Sequence, residues 1–185
     1  MRLITNQVIQ DGPHVTIFDH AGCYEMMTFE SVSEANARVD IVNEAFSWDG
    51  TPYGNLGDIK GKKGIVDCAM FLVRVYVDTG RLPPFDPRPY PVQWYLHHNE
   101  EWFLDWVVGR LGGHEVTSPR FGDVTIYKFG RCYAHGSIYV GVNRVVHASV
   151  KAHRCLMSNI VDIDLLCMRS GEPREHRYYE VRPNG

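Results

Sequence analysis

A chain of 185 residues with 44% apolar side chains can bury one full core and is too short for two complete domains. Its formal charge of −3 comes from 19 basic and 22 acidic residues that are interspersed, so there is no electrostatic footprint for nucleic acid or an anionic membrane, and neither is expected as a partner. No apolar run reaches bilayer length and Met1–Gln7 carries no apolar signal stretch, so the expectation is a protein made in the cytoplasm without a signal peptide. The cysteines Cys23, Cys68, Cys132, Cys155 and Cys167 are odd in number and widely spaced, which argues for reduced thiols.

In chain order, short β-like runs at 15–18 and 26–29 are broken by Asp11-Gly12-Pro13 and His20-Ala21-Gly22. They predict an N-terminal hairpin or arm over residues 1–30, with one domain over 31–185. Ser31 and Glu34 form a capping-box pattern, and Ala35, Val39, Val42, Ala45 and Phe46 keep helical spacing, which predicts a helix over 33–48. Asp49-Gly50-Thr51-Pro52-Tyr53-Gly54 forces a turn with Tyr53 at its tip, and residues 57–64 form a flexible basic loop. From Cys68 the apolar positions Cys68, Phe71, Leu72, Val75 and Tyr76 mark a helix buried along one side, between Gly64 and Gly80.

The proline density of 81–91 excludes helix and central strand, so an extended insertion over 81–93 follows. Asn99 is placed to cap a helix with Glu100 and Glu101 in its first turn and Trp102, Phe103, Trp106 and Val107 on one face, mostly in the core. The period then becomes strand-like. Strands are predicted at 124–127, at 136–140 and 145–150 around a turn at Gly141-Val142-Asn143, and at 177–181. Helices first and strands afterwards give an α+β fold, with N-terminal helices packed on an antiparallel sheet.

Cys68 sits in a first helical turn, where unpaired N–H groups and the helix dipole favour thiolate, so it is a candidate nucleophile; a buried structural cysteine is the alternative. His135 and His147 are twelve residues apart. A three-residue loop puts them on one face, diagonally adjacent, whereas a two-residue turn puts them on opposite faces. On one face, His135 can act as base for Cys68 while His147 orients it. A zinc site from Cys132, His135, His147, His153 and Cys155 is the competing reading, although it leaves Cys68 and Tyr53 unexplained.

Tyr53, Asp67-Cys68 opening a helix, Gly122-Asp123-Val124, His135-Gly136-Ser137-Ile138-Tyr139-Val140-Gly141 and Val146-His147-Ala148-Ser149 together resemble the NlpC/p60 family of cysteine peptidases. The resemblance runs from about Ala35 to Ser149. It implies a papain-like α+β fold and hydrolysis of amide bonds in bacterial cell-wall stem peptides, commonly next to D-glutamate. By position it makes Cys68 the nucleophile, His135 the base and His147 the third polar member. Tyr53 would line the site and Asp67 would hold the substrate's amino end. No metal or cofactor is implied.

Phe129-Gly130-Arg131-Cys132-Tyr133-Ala134-His135-Gly136 and the proline-rich insertion look most like the bacteriophage tail branch. That implies a virion-tail location and other tail proteins as partners. The chain departs from the family in having Ala69-Met70 where Ser-Gly usually follows Asp-Cys, which leaves open the bond cleaved and a catalytically degenerate, wall-binding tail protein.

Overall fold

The computed structural model describes residues 7–91, 100–160, 171–172 and 174–182. In chain order the elements are β1 (Gln7–Asp11), β2 (His14–Phe18), β3 (Tyr24–Thr28), α1 (Val32–Ser47), α2 (Cys68–Asp78), α3 (Trp102–Gly109), β4 (Gly113–Val116), β5 (Val124–Phe129), β6 (Cys132–Gly141), β7 (Arg144–Ser149), β8 (Arg154–Asn159) and β9 (His176–Val181). The order β4-β9-β5-β6-β7-β8 makes a six-stranded antiparallel sheet, and β1-β2-β3 make a smaller one. The fold is α+β, as expected from helices followed by strands.

The N-terminal segment is a three-stranded meander, not a hairpin, because β1 adds to the two strands visible in the sequence. It packs into the common core through Val15 and Ile17. Glu25 accepts from the Tyr139 hydroxyl at 2.7 Å and from the Val142 N–H at 2.6 Å, tying β3 to the β6–β7 turn.

α1 starts where Ser31 Oγ accepts the Glu34 N–H at 3.1 Å. Its inner face is Ala35, Arg38, Ile41, Val42 and Ala45. Arg38 is a charged side chain in that apolar stripe, and it survives burial because every nitrogen has a partner: Nε meets Glu34 at 2.7 Å, Nη1 meets Asp123, and Nη2 meets Glu180. The cluster joins α1 to the strands β5 and β9 around which the sheet is ordered.

The loop before α2 is tightly built, contrary to the flexible loop expected from its lysines and glycines. Ile59 N–H donates to Ile65 O at 3.0 Å, and Gly61 N–H to Thr51 Oγ1 at 2.9 Å. Lys60 pairs with Glu44 and lies 5.2 Å from the centre of the Trp48 ring. A Cβ on Gly64 would stand 1.8 Å from Ile59 O, so glycine here serves close backbone approach.

α2 is buried nearly all round, through Met70, Phe71, Leu72, Val73, Val75 and Tyr76, and it rests on β6, β7 and α1. α3 begins at Trp102, later than the sequence suggests; Asn99 lies outside the described residues, as do Trp94 and Cys167. Glu101 does not cap α3 with its side chain. Its carboxylate accepts the Tyr133 N–H at 2.7 Å instead, so a tertiary partner has replaced the local one. Core packing holds for Phe103, but Trp102 is 44% exposed.

Candidate active site

Asp67 fixes the start of α2. One carboxylate oxygen accepts the Met70 N–H at 2.9 Å and the other accepts the Leu56 N–H at 2.7 Å. Cys68 is therefore the first helical residue, half-buried, with Ala134 O as the acceptor of its thiol at 3.9 Å. Burial first, and then the adjacent Asp67 charge, push the thiol up to about 12. The N–H groups of Gly136, Cys68 and Ala69 pull the other way and lose. The resting thiol is thus neutral, a correction to the expectation from its place at a helix start: desolvation outweighs the dipole.

Gly136 comes this close because it has no side chain. A Cβ there would stand 2.7 Å from Leu72 Cδ1 and 2.8 Å from Phe103 Cζ. The backbone on both sides of His135 consequently borders the sulfur, Ala134 by its carbonyl and Gly136 by its N–H.

His135 and His147 are buried and share a hydrogen bond, Nε2 to Nδ1, of 2.9 Å. Their meeting depends on an irregularity. The β6–β7 turn has two central residues, Val142 and Asn143, both with positive φ, and by itself such a turn would put the histidines on opposite faces. The register shifts by one residue between Tyr139 and Gly141, leaving Val140 as a bulge, and Ile138 pairs with Val146 beyond it. Continuing that register sets Ser137 opposite His147 and His135 on the diagonal. A second shift, at Ala134 between β5 and β6, lies immediately before His135. Extra residues in a ladder re-aim side chains, and here they flank the histidine.

Burial lowers the pKa of His135 well below the ordinary imidazole range, helped by His147 and Arg174. It is neutral at physiological pH. In the tautomer in which His135 Nε2 donates to His147, Nδ1 is the nitrogen left to accept a proton. No hydrogen bond joins Cys68 to His135 in this resting state; the thiol is held on the backbone beside it. Catalytic contacts of that kind tighten on substrate binding.

Tyr53 lies on the strand-like approach to α2, bridged to Val66, and its hydroxyl donates to Asn55 Oδ1 at 3.1 Å. Of the proposed zinc ligands, His153 is exposed while Cys132 and Cys155 are buried. Among the described residues no group of three His, Cys, Asp or Glu side chains is arranged to hold a metal.

Comparison with solved structures gives matches at probability 1.00 to NlpC1 from Trichomonas vaginalis (14% identity, 94% of this chain and 56% of that one, TM-score 0.51). An NlpC/p60 family protein from Bacillus cereus also matches (13% identity, 95% and 52%, TM-score 0.50). The fold is that of NlpC/p60 proteins. The NlpC/p60 domain of the peptidoglycan hydrolase SagA matches as well, at 22% identity over 66% of this chain and 89% of that domain, with a TM-score of 0.43. The chain spans about half the length of the Trichomonas and Bacillus proteins. No family profile and no curated protein matches the sequence.

On this NlpC/p60-like fold two residues that the sequence did not single out join the site. Ser158 Oγ lies 2.9 Å from His147 Nε2, extending the polar chain to β8. β8 is a strand without a clear sequence pattern, so nothing local marks Ser158. Tyr90, at the end of the proline-rich segment, donates from its hydroxyl to both Asp67 oxygens at 2.8 Å. Arg88 holds that segment down through Leu56 O at 2.8 Å and Asp58 at 3.1 Å. Asp67 is thus buried and fully occupied in the resting site.

Proposed function

We propose that the protein is a cysteine peptidase that hydrolyses amide bonds in peptidoglycan stem peptides, next to D-glutamate. The observation that carries this reading is the buried His135–His147 hydrogen bond on the strand whose Ala134 carbonyl receives the Cys68 thiol, at a capped helix start. The SagA neighbour, a peptidoglycan hydrolase by its description, is consistent with it.

In this mechanism His135 Nδ1 takes the Cys68 proton as the sulfur attacks the amide carbonyl. An S–C bond forms, the oxyanion faces the N–H groups at the start of α2, and His135 then protonates the leaving amine as the C–N bond breaks. Water, deprotonated by His135, releases the acid and restores the thiol. His147 keeps the His135 proton on Nε2, and Ser158 keeps the His147 proton on its own Nε2. Displacement of Tyr90 from Asp67 would free that carboxylate for a substrate's amino end, while Tyr53 lines the cleft. We place the activity in a bacteriophage tail, assembled in host cytoplasm with other tail proteins, on the strength of the 129–136 motif and the proline-rich insertion.

A second reading, a wall-binding tail protein without turnover, is favoured by Ala69-Met70 after Asp67-Cys68 and by the thiol's bond to the Ala134 carbonyl instead of to His135. Digestion of purified peptidoglycan by wild type beside Cys68→Ala, read by mass spectrometry of released muropeptides, separates the two. Products with wild type alone support the peptidase. Their absence from walls of several chemotypes favours the binding protein.

A further inference from the structure

Asp67 is held by three donors of unequal permanence. Its Oδ1 accepts the Met70 N–H at 2.9 Å and its Oδ2 the Leu56 N–H at 2.7 Å, while the one Tyr90 hydroxyl is shared between both oxygens, each at 2.8 Å. The first two are backbone groups of α2 and the loop before it. Tyr90 comes from a segment with a looser hold on the fold: among the described residues no backbone hydrogen bond joins residues 83–91 to the rest of the chain. Arg88, on Leu56 O and Asp58, and the Phe85 ring, 6.5 Å from that of Trp106, anchor it by side chains alone. A segment held in this way opens at low cost.

Tyr90 also lines an apolar cavity of about 150 Å³, whose other walls include Ala69 and, from α3, Trp102, Phe103 and Trp106. An apolar cavity of that size has the capacity for a benzene-sized group, hence for a phenol ring. The Trp106 indole N–H is buried and has no acceptor among the described residues. A buried donor without a partner is costly, and a hydroxyl entering the cavity would satisfy it.

We propose that Tyr90 is a two-position gate: at rest its hydroxyl closes Asp67, and on binding a substrate's ammonium group takes that place while the phenol ring turns into the cavity and its oxygen accepts the Trp106 N–H. The gate rests on the peptidase reading, in which Asp67 takes the substrate's amino end, and adds what that amino end must displace. The exchange favours a cation. Tyr90 brings one neutral O–H divided between two oxygens, whereas an ammonium brings three N–H donors and a full charge to a carboxylate that is 5% exposed. A peptide acylated at its amino end brings neither, so it leaves Tyr90 in place.

The test uses the full chain carrying Cys68→Ala, so that ligands stay intact. The tripeptide Ala-D-Glu-Lys and its N-acetyl form are titrated while indole N–H resonances are followed by NMR. The Trp106 signal is assigned by its loss in Trp106→Phe, and Trp48, whose N–H already donates to Glu44 at 2.9 Å, is the internal reference. The expected result is saturable downfield movement of the Trp106 signal with the free-amine probe only. Adding Tyr90→Phe removes the bond that the amine has to break, and a hydrogen bond to a charged group outweighs the neutral one lost at Trp106. The free-amine tripeptide is therefore expected to bind roughly 5- to 10-fold more tightly to Tyr90→Phe, without the downfield movement. If Tyr90 only props the Asp67 cap, Tyr90→Phe binds the tripeptide equally or more weakly, and that result overturns the gate. A Trp106 signal that stays fixed, or that moves alike with both probes, also overturns it. Hydrolysis by the protein with Cys68 intact is read separately. Turnover without the Trp106 response removes the gate and leaves the peptidase reading standing. The Trp106 response without turnover of any peptide supports the gate on a binding site and removes the peptidase reading.

Discussion

Two buried polar clusters in this fold meet the cost of desolvation in opposite ways. Around Arg38 every member is charged and paired, with the guanidinium shared among Glu34, Asp123 and Glu180. Burial pushes the Asp123 carboxyl up to about 6 against the pull of Arg38, and the cluster remains an ion network at neutral pH. Around Cys68 the groups are neutral: burial raises the thiol, lowers His135, and leaves a line of hydrogen bonds from His135 through His147 to Ser158. The first arrangement resists any change of charge and works as a joint between helix and sheet. The second consists of neutral groups, and in the tautomer that keeps the His135 proton on Nε2 its Nδ1 can receive a proton, the role the proposed mechanism gives it.

The sharpest way to separate the two is to remove one member from each. His135→Ala is expected to lower wall hydrolysis by about 10⁴-fold or more, since groups that act as a unit fail together, while circular dichroism still reports a folded protein. Arg38→Met is expected to do the reverse: a loss of about 3–5 kcal/mol in urea unfolding, because buried Asp123 loses its cation while Glu34 and Glu180 keep only Arg81 and Arg182, with activity per folded molecule unchanged. An Arg38→Met protein of wild-type stability would show that the network is not the joint described.

The neutral character of the site is tested by alkylation. A rise of the thiol from 9.0 to about 12 removes three powers of ten of thiolate at neutral pH. Intrinsic nucleophilicity recovers only part of this, about 0.4–0.5 of a power of ten per unit. Iodoacetamide at pH 7.5, followed by peptide mass spectrometry, is therefore expected to label Cys68 roughly 30-fold or more slowly than the exposed thiol of Cys23, with no plateau below pH 10. A Cys68 rate that levels off below pH 8 would mean a thiolate–imidazolium pair instead.

The elements that carry the chemistry were legible because their signals are local. The Ser31 cap, the stripe from Cys68 to Tyr76 and the Gly122-Asp123 entry to β5 each act within one turn or one strand, so neighbouring residues announce them. The polarity of the site was not. The sequence places Cys68 at a helix start, but the Asp67 charge and the depth of burial that reverse the dipole's effect depend on what packs above it. The one-face arrangement of His135 and His147 was reached on the premise of a three-residue loop, whereas a two-residue turn and a bulge at Val140 produce it. A bulge has no composition of its own here, because Val140 reads as an ordinary strand residue. Glu101 failed as a helix signal for a similar reason, its carboxylate being taken by the Tyr133 N–H far along the chain.

Ser158 tests the smallest claim and the one most specific to the neutral line. For His135 Nδ1 to receive a proton, its Nε2 must hold one and donate it to His147 Nδ1, which obliges His147 to carry its own proton on Nε2, toward Ser158 Oγ. Ser158→Ala removes that acceptor and with it the preference for this tautomer. In the other tautomer His147 Nδ1 bears the proton and meets the proton on His135 Nε2, so His135 either turns away or moves its proton to Nδ1, where it no longer serves as base. One neutral hydrogen bond of about 1–1.5 kcal/mol corresponds to a fall in kcat of roughly 10-fold, with KM unchanged. Ser158→Thr keeps the hydroxyl and should restore most of the rate, which a general loss of packing at β8 would not. The acid limb supplies the second readout. His135 is held below the ordinary imidazole range by burial and its neighbours, so wild-type activity should persist to pH values below 6.5 and then fall as His135 protonates. A Ser158→Ala enzyme with wild-type kcat and an unshifted acid limb would confine Ser158 to packing and end the proton line at His147.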